Sequence, residues 1–455
     1  PLVAGQVGTT RYFNGAAVCE NWVPMVSGGA RVRGGLKFAG YTKLPRTRTF
    51  LVPFVFSQLV SYMLEFGDLY IRIWGYDTNG EPVPVLNAGV PVEIVTTYIE
   101  SELGQLDAKQ SADVLFIDHP AHAPAMLSRL SETNWVLSTI GFVPPPLFEP
   151  KTPLAAALSA SAATGLGITF TASSGVFLVA DVGRNIGNID GGEAVIIGYI
   201  SPTQVTGDIT AGTFLTGGPN YASGDWWLRG SPNAVMQVPV GPPVGGVVTL
   251  TLFADATGTT GTQGFRTGDV DKYVVVLDGV LKIYQFHTAQ VVSARVITAM
   301  TKFPLPQQVA VIDQSTLNVT LKTPAPIPSF VPGGLWTLEV PTWTAARGFP
   351  SVLTLGQQRV FHGGSTSEPD TIRATPTGDY FGFNPGSEDD RALSFTVASE
   401  EVNILQWMIF WNGLAVGTLG GGFLVSGAAG GISPLTPKSV LVRPAANVGS
   451  ERATA

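Results

Sequence analysis

Apolar and polar positions alternate with a period of two along much of the chain. In 69–74, Leu69, Ile71 and Ile73 alternate with Tyr70, Arg72 and Trp74, the spacing of a strand with one buried face. Segments 50–56 and 62–66 precede it as strands, and 92–99 and 114–117 continue the pattern. Asn79-Gly80 marks a tight turn. A short helix is expected over 102–110, and Pro144-Pro145-Pro146 closes a first unit, 1–150, as a stiff linker. Farther on, 352–355, 359–361, 380–383 and 393–397 are short apolar runs separated by turns, which suits a sandwich or propeller blades.

The middle of the chain repeats itself. Gly167-Ile168-Thr169-Phe170-Thr171, the run 177–183, Asp190-Gly191, 194–197 and Thr203-Gln204-Val205 are matched in order by 247–251, 265–270, Asp278-Gly279, 280–283 and Ala289-Gln290-Val291. Both Asp-Gly pairs lie between apolar runs, as type I′ hairpins require. Two small β modules are therefore expected, 151–245 and 246–330. The proline-rich run 324–328 then leads as an extended linker to a β-rich, propeller-like region, 341–455. The fold class that follows is mainly β and multi-domain, with two small inserted modules.

Composition sharpens this picture. Of 455 residues, 45% are hydrophobic and only 13% charged, against about 25% in an average soluble domain. A surface so poor in charge is expected to be covered by neighbouring subunits. The 54 glycines and 34 prolines break helices and punctuate short strands. Cys19 is the single cysteine, so no intramolecular disulfide forms, and a buried thiol in a reducing compartment is expected. The start, Pro1-Leu2-Val3-Ala4-Gly5, lacks the succession of a signal peptide. The uncharged stretch between Glu401 and Lys438 reads as consecutive buried strands with glycine turns and not as a membrane span, because Asn403, Gln406, Asn412 and several glycines interrupt it. A net charge of −7 without a basic block argues against gripping nucleic acid through phosphates, yet suits a wall that a polyanion slides past.

The search for chemistry yields no catalytic, cofactor-binding or metal-binding residue, and a non-enzymatic protein is expected. His119 and His122 in the Asp118–His122 segment lack a third ligand at zinc spacing, and Pro120 and Pro124 make them loop residues. Asp269, Asp271 and Asp278 lack the glycine and terminal glutamate of a calcium loop. Glu388, Asp389 and Asp390 read as a solvated turn, and Gly165-Leu166-Gly167 lacks the third glycine of a dinucleotide fingerprint. Neither a nucleophile elbow nor a phosphate loop occurs. Asp113 and Arg129 are expected to make polar contacts that hold the first unit together. Trp226 and Trp227, adjacent on a strand, must face opposite sides, one of them the core.

Several motifs act together: Cys19-Glu20-Asn21-Trp22 before Gly28-Gly29-Ala30-Arg31; Leu51-Val52-Pro53-Phe54; Tyr62-Met63-Leu64-Glu65-Phe66-Gly67; and Gln110-Ser111-Ala112-Asp113-Val114-Leu115-Phe116 leading to His119-Pro120, Pro124, Leu127-Ser128-Arg129 and Trp135. Gly348-Phe349-Pro350, Gln358-Arg359-Val360-Phe361, Gly363-Gly364 and 377–383 follow. Over residues 11–148 and 343–450 the chain resembles the tail nozzle, or tail tubular protein B-like, proteins of short-tailed bacteriophages. Arg33-Gly34-Gly35 departs from the family's Arg-Pro-Gly at that turn. Relatives continue past the point matching Ala455, so the resemblance implies a longer last domain. It further implies a β platform in 1–150 and a homohexameric ring below the portal and its adaptor. That ring would conduct genomic DNA during ejection without binding it specifically, and would dock tail fibres or spikes. The location implied is the virion tail, after folding in the host cytoplasm and without stable membrane insertion; no cofactor is implied. Two other functions fit the residues: a carbohydrate-binding or depolymerising virion protein, and a secreted adhesin of β modules.

Overall fold

The computed structural model describes residues 21–25, 29–35, 38, 40–142, 145–218, 220–237, 247–255, 264–266, 269, 272–278, 281–293, 296–301, 309–313, 318–322, 330–383, 388–397, 403–427 and 433–452. Cys19, the whole 324–328 linker, Gly279, Asp271 and part of the Pro144 run lie outside them. Among the described residues every regular element is a strand, apart from two 3₁₀ turns, and the strands form many separate antiparallel sheets. The protein is thus mainly β and multi-domain. It divides into two compact units, Pro1–Glu100 and Ser101–Ala455.

In the first unit, Phe50–Val55, Ser61–Gly67, Tyr70–Tyr76 and Pro82–Pro84 run antiparallel in chain order, and Glu93–Val95 also pairs with Tyr70–Tyr76. Rows such as Val52, Leu64 and Ile73 stack across three strands on the buried face. The intervening residue Leu51 points outward and is 55% exposed. Gly80, at φ +76, makes the expected tight turn. The strand expected over 92–99 is shorter, only Glu93–Val95 entering the ladder.

The second unit contains three four-stranded meanders, 107–139, 352–396 and 405–446, each with its strands side by side in chain order. This is the repeating element of propeller blades. Their first strands, Asp107–Ser111, Val352–Gly356 and Leu405–Phe410, are neighbours, with Val352–Gly356 in the middle. The Leu353 amide donates to Asp107 Oδ2 at 2.8 Å, and the Phe410 ring lies on Gly356. The uncharged stretch before Lys438 forms Leu405–Phe410, Leu414–Thr418 and Gly422–Ser426, joined by short turns. Among the described residues no helix is long and apolar enough to cross a membrane.

Two expected elements are replaced. The helix over 102–110 is a 3₁₀ turn, Glu100–Gln105, that ends where Asp107–Ser111 pairs with Val114–His119. Burial of Leu103 and Leu106 produces the apolar spacing that resembles a helix. At 380–383 there is no strand, because the Asp379 carboxylate accepts the Phe381 amide at 2.9 Å and Gly378 takes φ +79, so local turn bonds displace a ladder.

The inserts repeat strand by strand. The inner insert orders its strands Thr152–Pro153, Trp226–Arg229, Asn185–Asn188, Glu193–Ser201, Gln204–Ala211, Ile168–Ala172, Leu158–Ala160. The outer insert runs Leu147–Phe148, Trp336–Pro341, Tyr273–Asp278, Leu281–Ser293, Val296–Thr301, Val247–Phe253, Val235–Gln237, and adds Phe330–Val331 at the edge. The inner sequence therefore lies between the first and second chain segments of the outer sheet. Each core is built round one tryptophan. Trp226 Nε1 donates to the Ala156 carbonyl at 2.6 Å, and Trp336 Nε1 to the Ala234 carbonyl at 2.8 Å. Phe177 and Phe265 pack on them with ring centroids 5.8 and 6.0 Å away. Asp190-Gly191 does lie in a hairpin, but only Gly191 has positive φ, so the turn is not type I′.

Many glycines are floors for rings and not turns. Trp227 covers its cross-strand partner Gly187, Trp407 covers Gly417, and Tyr70 covers Gly67. The aromatic ring fills the space a side chain would take. Replacing Gly417 by alanine should therefore cost about 2 kcal/mol, because the Trp407 indole must leave its place. Urea unfolding checks this; a change below about 0.5 kcal/mol would mean the ring relocates freely.

Candidate functional site

Four buried polar centres organise the two units. In the first unit, Glu65 is 1% exposed. Its Oε2 accepts Trp74 Nε1 at 2.7 Å, and its Oε1 accepts the Lys43 amide at 3.1 Å and the Tyr70 hydroxyl. Burial and the Glu65 carboxylate push the Tyr70 phenol well above its ordinary value. On the same sheet face Arg72 and Lys43 both reach Glu93. Hydrogen bonds from these two cations outweigh burial and hold Glu93 below the usual carboxylate range.

The second centre joins two meanders of the second unit. Asp118 ends the strand Val114–His119, and His362 lies in Arg359–Ser365. Asp118 Oδ2 and His362 Nδ1 are 2.7 Å apart and both residues are fully buried. Phe142, Trp343 and Phe383 surround the imidazole at centroid distances of 5.6, 5.4 and 6.1 Å. Burial pushes the Asp118 carboxyl up to about 6, against the pull of His362. The next residue, His119, ends the strand past a shift of register at Ile117/His119. Its Nδ1 accepts the Ala121 amide at 3.1 Å, and its ring is 4.9 Å from that of His122. Burial and the neighbouring His122 push His119 down to about 4. His122 Nε2 meets Glu102 Oε2 at 2.9 Å. His119 and His122 are not loop residues: they end and begin the paired strands Val114–His119 and His122–Arg129, Pro124 lies within the second, and only Pro120-Ala121 form the turn between them. Among the described residues no group of three or more His, Cys, Asp or Glu is arranged to hold a metal.

Arg359 is the third centre. Its guanidinium, 1% exposed, donates to the carbonyls of Thr375, Arg391 and Asp389 at 2.7, 2.5 and 2.7 Å. The acidic turn 388–390 therefore binds through its backbone, while the Glu388 and Asp390 carboxylates remain largely in solvent.

The fourth centre locks the inserts together. Asp181, fully buried, accepts Arg184 Nη1 at 2.9 Å and, from the outer insert, Arg266 Nη2 at 2.6 Å. The outer insert repeats the local geometry: Asp269 accepts Lys272 Nζ at 2.7 Å and the Arg266 amide at 2.7 Å. Ala180 of the inner insert is part of the outer insert's core.

The structure also brings Asp113 and Arg129 together, by an amide-to-carbonyl bond of 2.9 Å and a side-chain approach of 3.9 Å. Trp226 is wholly in the core, and Trp227 faces the other way beneath Lys151 Nζ, 4.1 Å from its ring. Sequence reasoning missed Asp181 and His362, and named Arg359 only as a motif residue without its buried role. Only the shared Phe-x-x-x-Asp-Val pattern at 177–182 and 265–270 carried a usable signal. Chemically, these centres supply donors to buried carboxylates and carbonyls and so fix strand against strand.

Several large apolar side chains are exposed: Leu59 at 96%, Trp411 at 86% and Leu166 at 80%. No protein-family model and no curated protein matches the chain. Among solved structures, Saccharomyces cerevisiae Sqt1 is similar at 9% identity and a TM-score of 0.18, over 88% of this chain and 84% of that one. A score that low says nothing about fold or function.

Proposed function

We propose that the chain is a structural subunit that assembles with its own copies into a ring-shaped conduit, the nozzle of a short phage tail. The observation that carries this reading is large apolar side chains standing in solvent on a protein of only 13% charge. Such surfaces fit burial between subunits, and a heterologous contact that closes gives a ring. The motif residues of the resemblance support it further. Glu65, Asp118 and Arg359 lie in the motif segments or beside them, and each is an anchor of the scaffold. The three meanders are taken as part of a propeller, and the inserts as surface modules. The partners in this reading are further copies, the portal and adaptor rings and the tail fibres, with DNA passing through the lumen.

The mass of the purified full chain in solution tests the reading. Light scattering coupled to size exclusion should give a closed multiple of the 47.8 kDa subunit. A strict monomer at high concentration, also after mixing with portal and adaptor complexes, would overturn it.

A further inference from the structure

The inner insert presents a loop tip at the end away from the outer insert. Loops 161–167, 188–193 and 211–225 meet there. The Phe214 amide donates to the Ala163 carbonyl at 3.0 Å, and Asn188 Nδ2 donates to the Thr213 carbonyl at 3.2 Å, so 211–217 bridges the other two. Each loop holds one large apolar side chain in solvent: Leu166 at 80%, Ile189 at 61% and Leu215 at 52%. The three loops contain Asp190, Glu193 and Asp225 and not one Lys, Arg or His. Glu193 also meets Arg229 at 3.1 Å, and Asp225 accepts the Ala222 amide. Asp190 is exposed. The tip is thus apolar with an acidic rim.

The opposite character is written in the first unit. Residues 21–64 hold six Lys or Arg and neither Asp nor Glu. Arg31, Arg33, Arg46 and Arg48 are exposed there, and in the ribbon that carries Arg31 and Arg33 so are Trp22 at 51% and Val32 at 63%. Arg33 Nε donates to Asn21 Oδ1, which holds the ribbon of Trp22–Pro24 and Ala30–Val32.

We propose, resting on the reading of the chain as a self-assembling subunit, that the inner-insert tip of one copy docks on the ribbon of Trp22–Pro24 and Ala30–Val32, with its Arg31 and Arg33, of a second copy. Apolar side chains form the middle of this contact and opposite charges its rim. The two surfaces are different, so the contact is head-to-tail, the kind that propagates and can close.

Charge exchange in the full chain tests this. One variant carries Asp190→Lys with Asp225→Lys; the other carries Arg31→Glu with Arg33→Glu. Each alone places like charges across the contact, and its apparent dissociation constant should rise at least about tenfold. Mixed together, every contact again pairs opposite signs, and the wild-type mass should return in sedimentation velocity. A separate Leu166→Ser, Ile189→Ser, Leu215→Ser variant, altered only at exposed positions, should also dissociate. In wild type, salt at about 1 M should weaken assembly. Variants that assemble like wild type, or a mixture that stays dissociated while each component is folded by circular dichroism, would sink this contact and leave the ring reading standing. A monomeric wild type would sink both.

Discussion

Asp181→Ala is expected to cost about 3–5 kcal/mol and to loosen both inserts at once. The carboxylate is fully buried and takes Arg184 Nη1, Arg266 Nη2 and the Leu178 amide at 2.9, 2.6 and 2.8 Å. Removing it leaves two guanidinium groups facing each other in a site with little water. Burial already pushes Arg184 down, so its charge is costly there and depends on Asp181. Arg266 belongs to the outer insert and also donates to the Val176 carbonyl at 3.1 Å, so the loss spreads across the junction. Hydrogen exchange should show protection falling in both 185–211 and 247–253. The equivalent change Asp269→Ala removes the local Lys272 partner and one amide contact, and should mainly affect the outer insert. Loss below about 1 kcal/mol for Asp181→Ala, or an effect confined to the inner insert, would show that the junction rests on apolar packing alone.

The second large effect concerns acid. Asp118 and His119 are consecutive and shift in opposite directions. Asp118 stands at about 6 in the fold against an ordinary 3.8, so its contribution to stability is complete below 3.8 and is lost as pH rises through 6. His119 stands at about 4 against 6.5, so its contribution is complete above 6.5 and is lost as pH falls through 4. Each change is on the order of 2–3 kcal/mol, and in wild type the two nearly cancel between pH 6 and 4. Asp118→Asn should therefore lose stability on acidification across that window. His119→Asn, which can keep the contact to the Ala121 amide, should gain it. Urea midpoints at several pH values check both. Parallel curves for the two variants would overturn the compensation.

What was legible in the sequence follows from the reach of each interaction. The Asn79-Gly80 turn is local and appears as read, and the period-two pattern holds at Ile71 and Ile73; Leu69, however, turns at φ +63 before the strand and is exposed, while Tyr70 is buried. The internal repeat was legible because the two copies keep their strand order, down to the hairpins at Asp190 and Asp278, but the match of 203–205 with 289–291 was off: Ala289-Gln290-Val291 lies in Leu281–Ser293, and the counterpart of Gln204–Ala211 is Val296–Thr301. Glycine was legible only as a breaker. That Gly187, Gly356 and Gly417 lie beneath aromatic rings depends on cross-strand or inter-sheet partners that spacing along the chain does not reveal. The same holds for Asp118 and His362, separated by 244 positions. At 102–110 and 380–383 a local apolar rhythm was outweighed, first by pairing with a later strand and then by an aspartate turn.

The path of the chain through the inserts has a consequence for how the molecule is made. Leu147 lies opposite Pro341, and Thr152 opposite Leu228, so each excursion departs and returns through two adjacent strands. The outer sheet cannot be completed until Trp336–Pro341 has been synthesised, by which time the inner one is whole. Growth from the ribosome thus dictates an inside-out sequence of closure, and the meander begun at Asp107 waits for its neighbour at Val352 until both nested pieces have emerged.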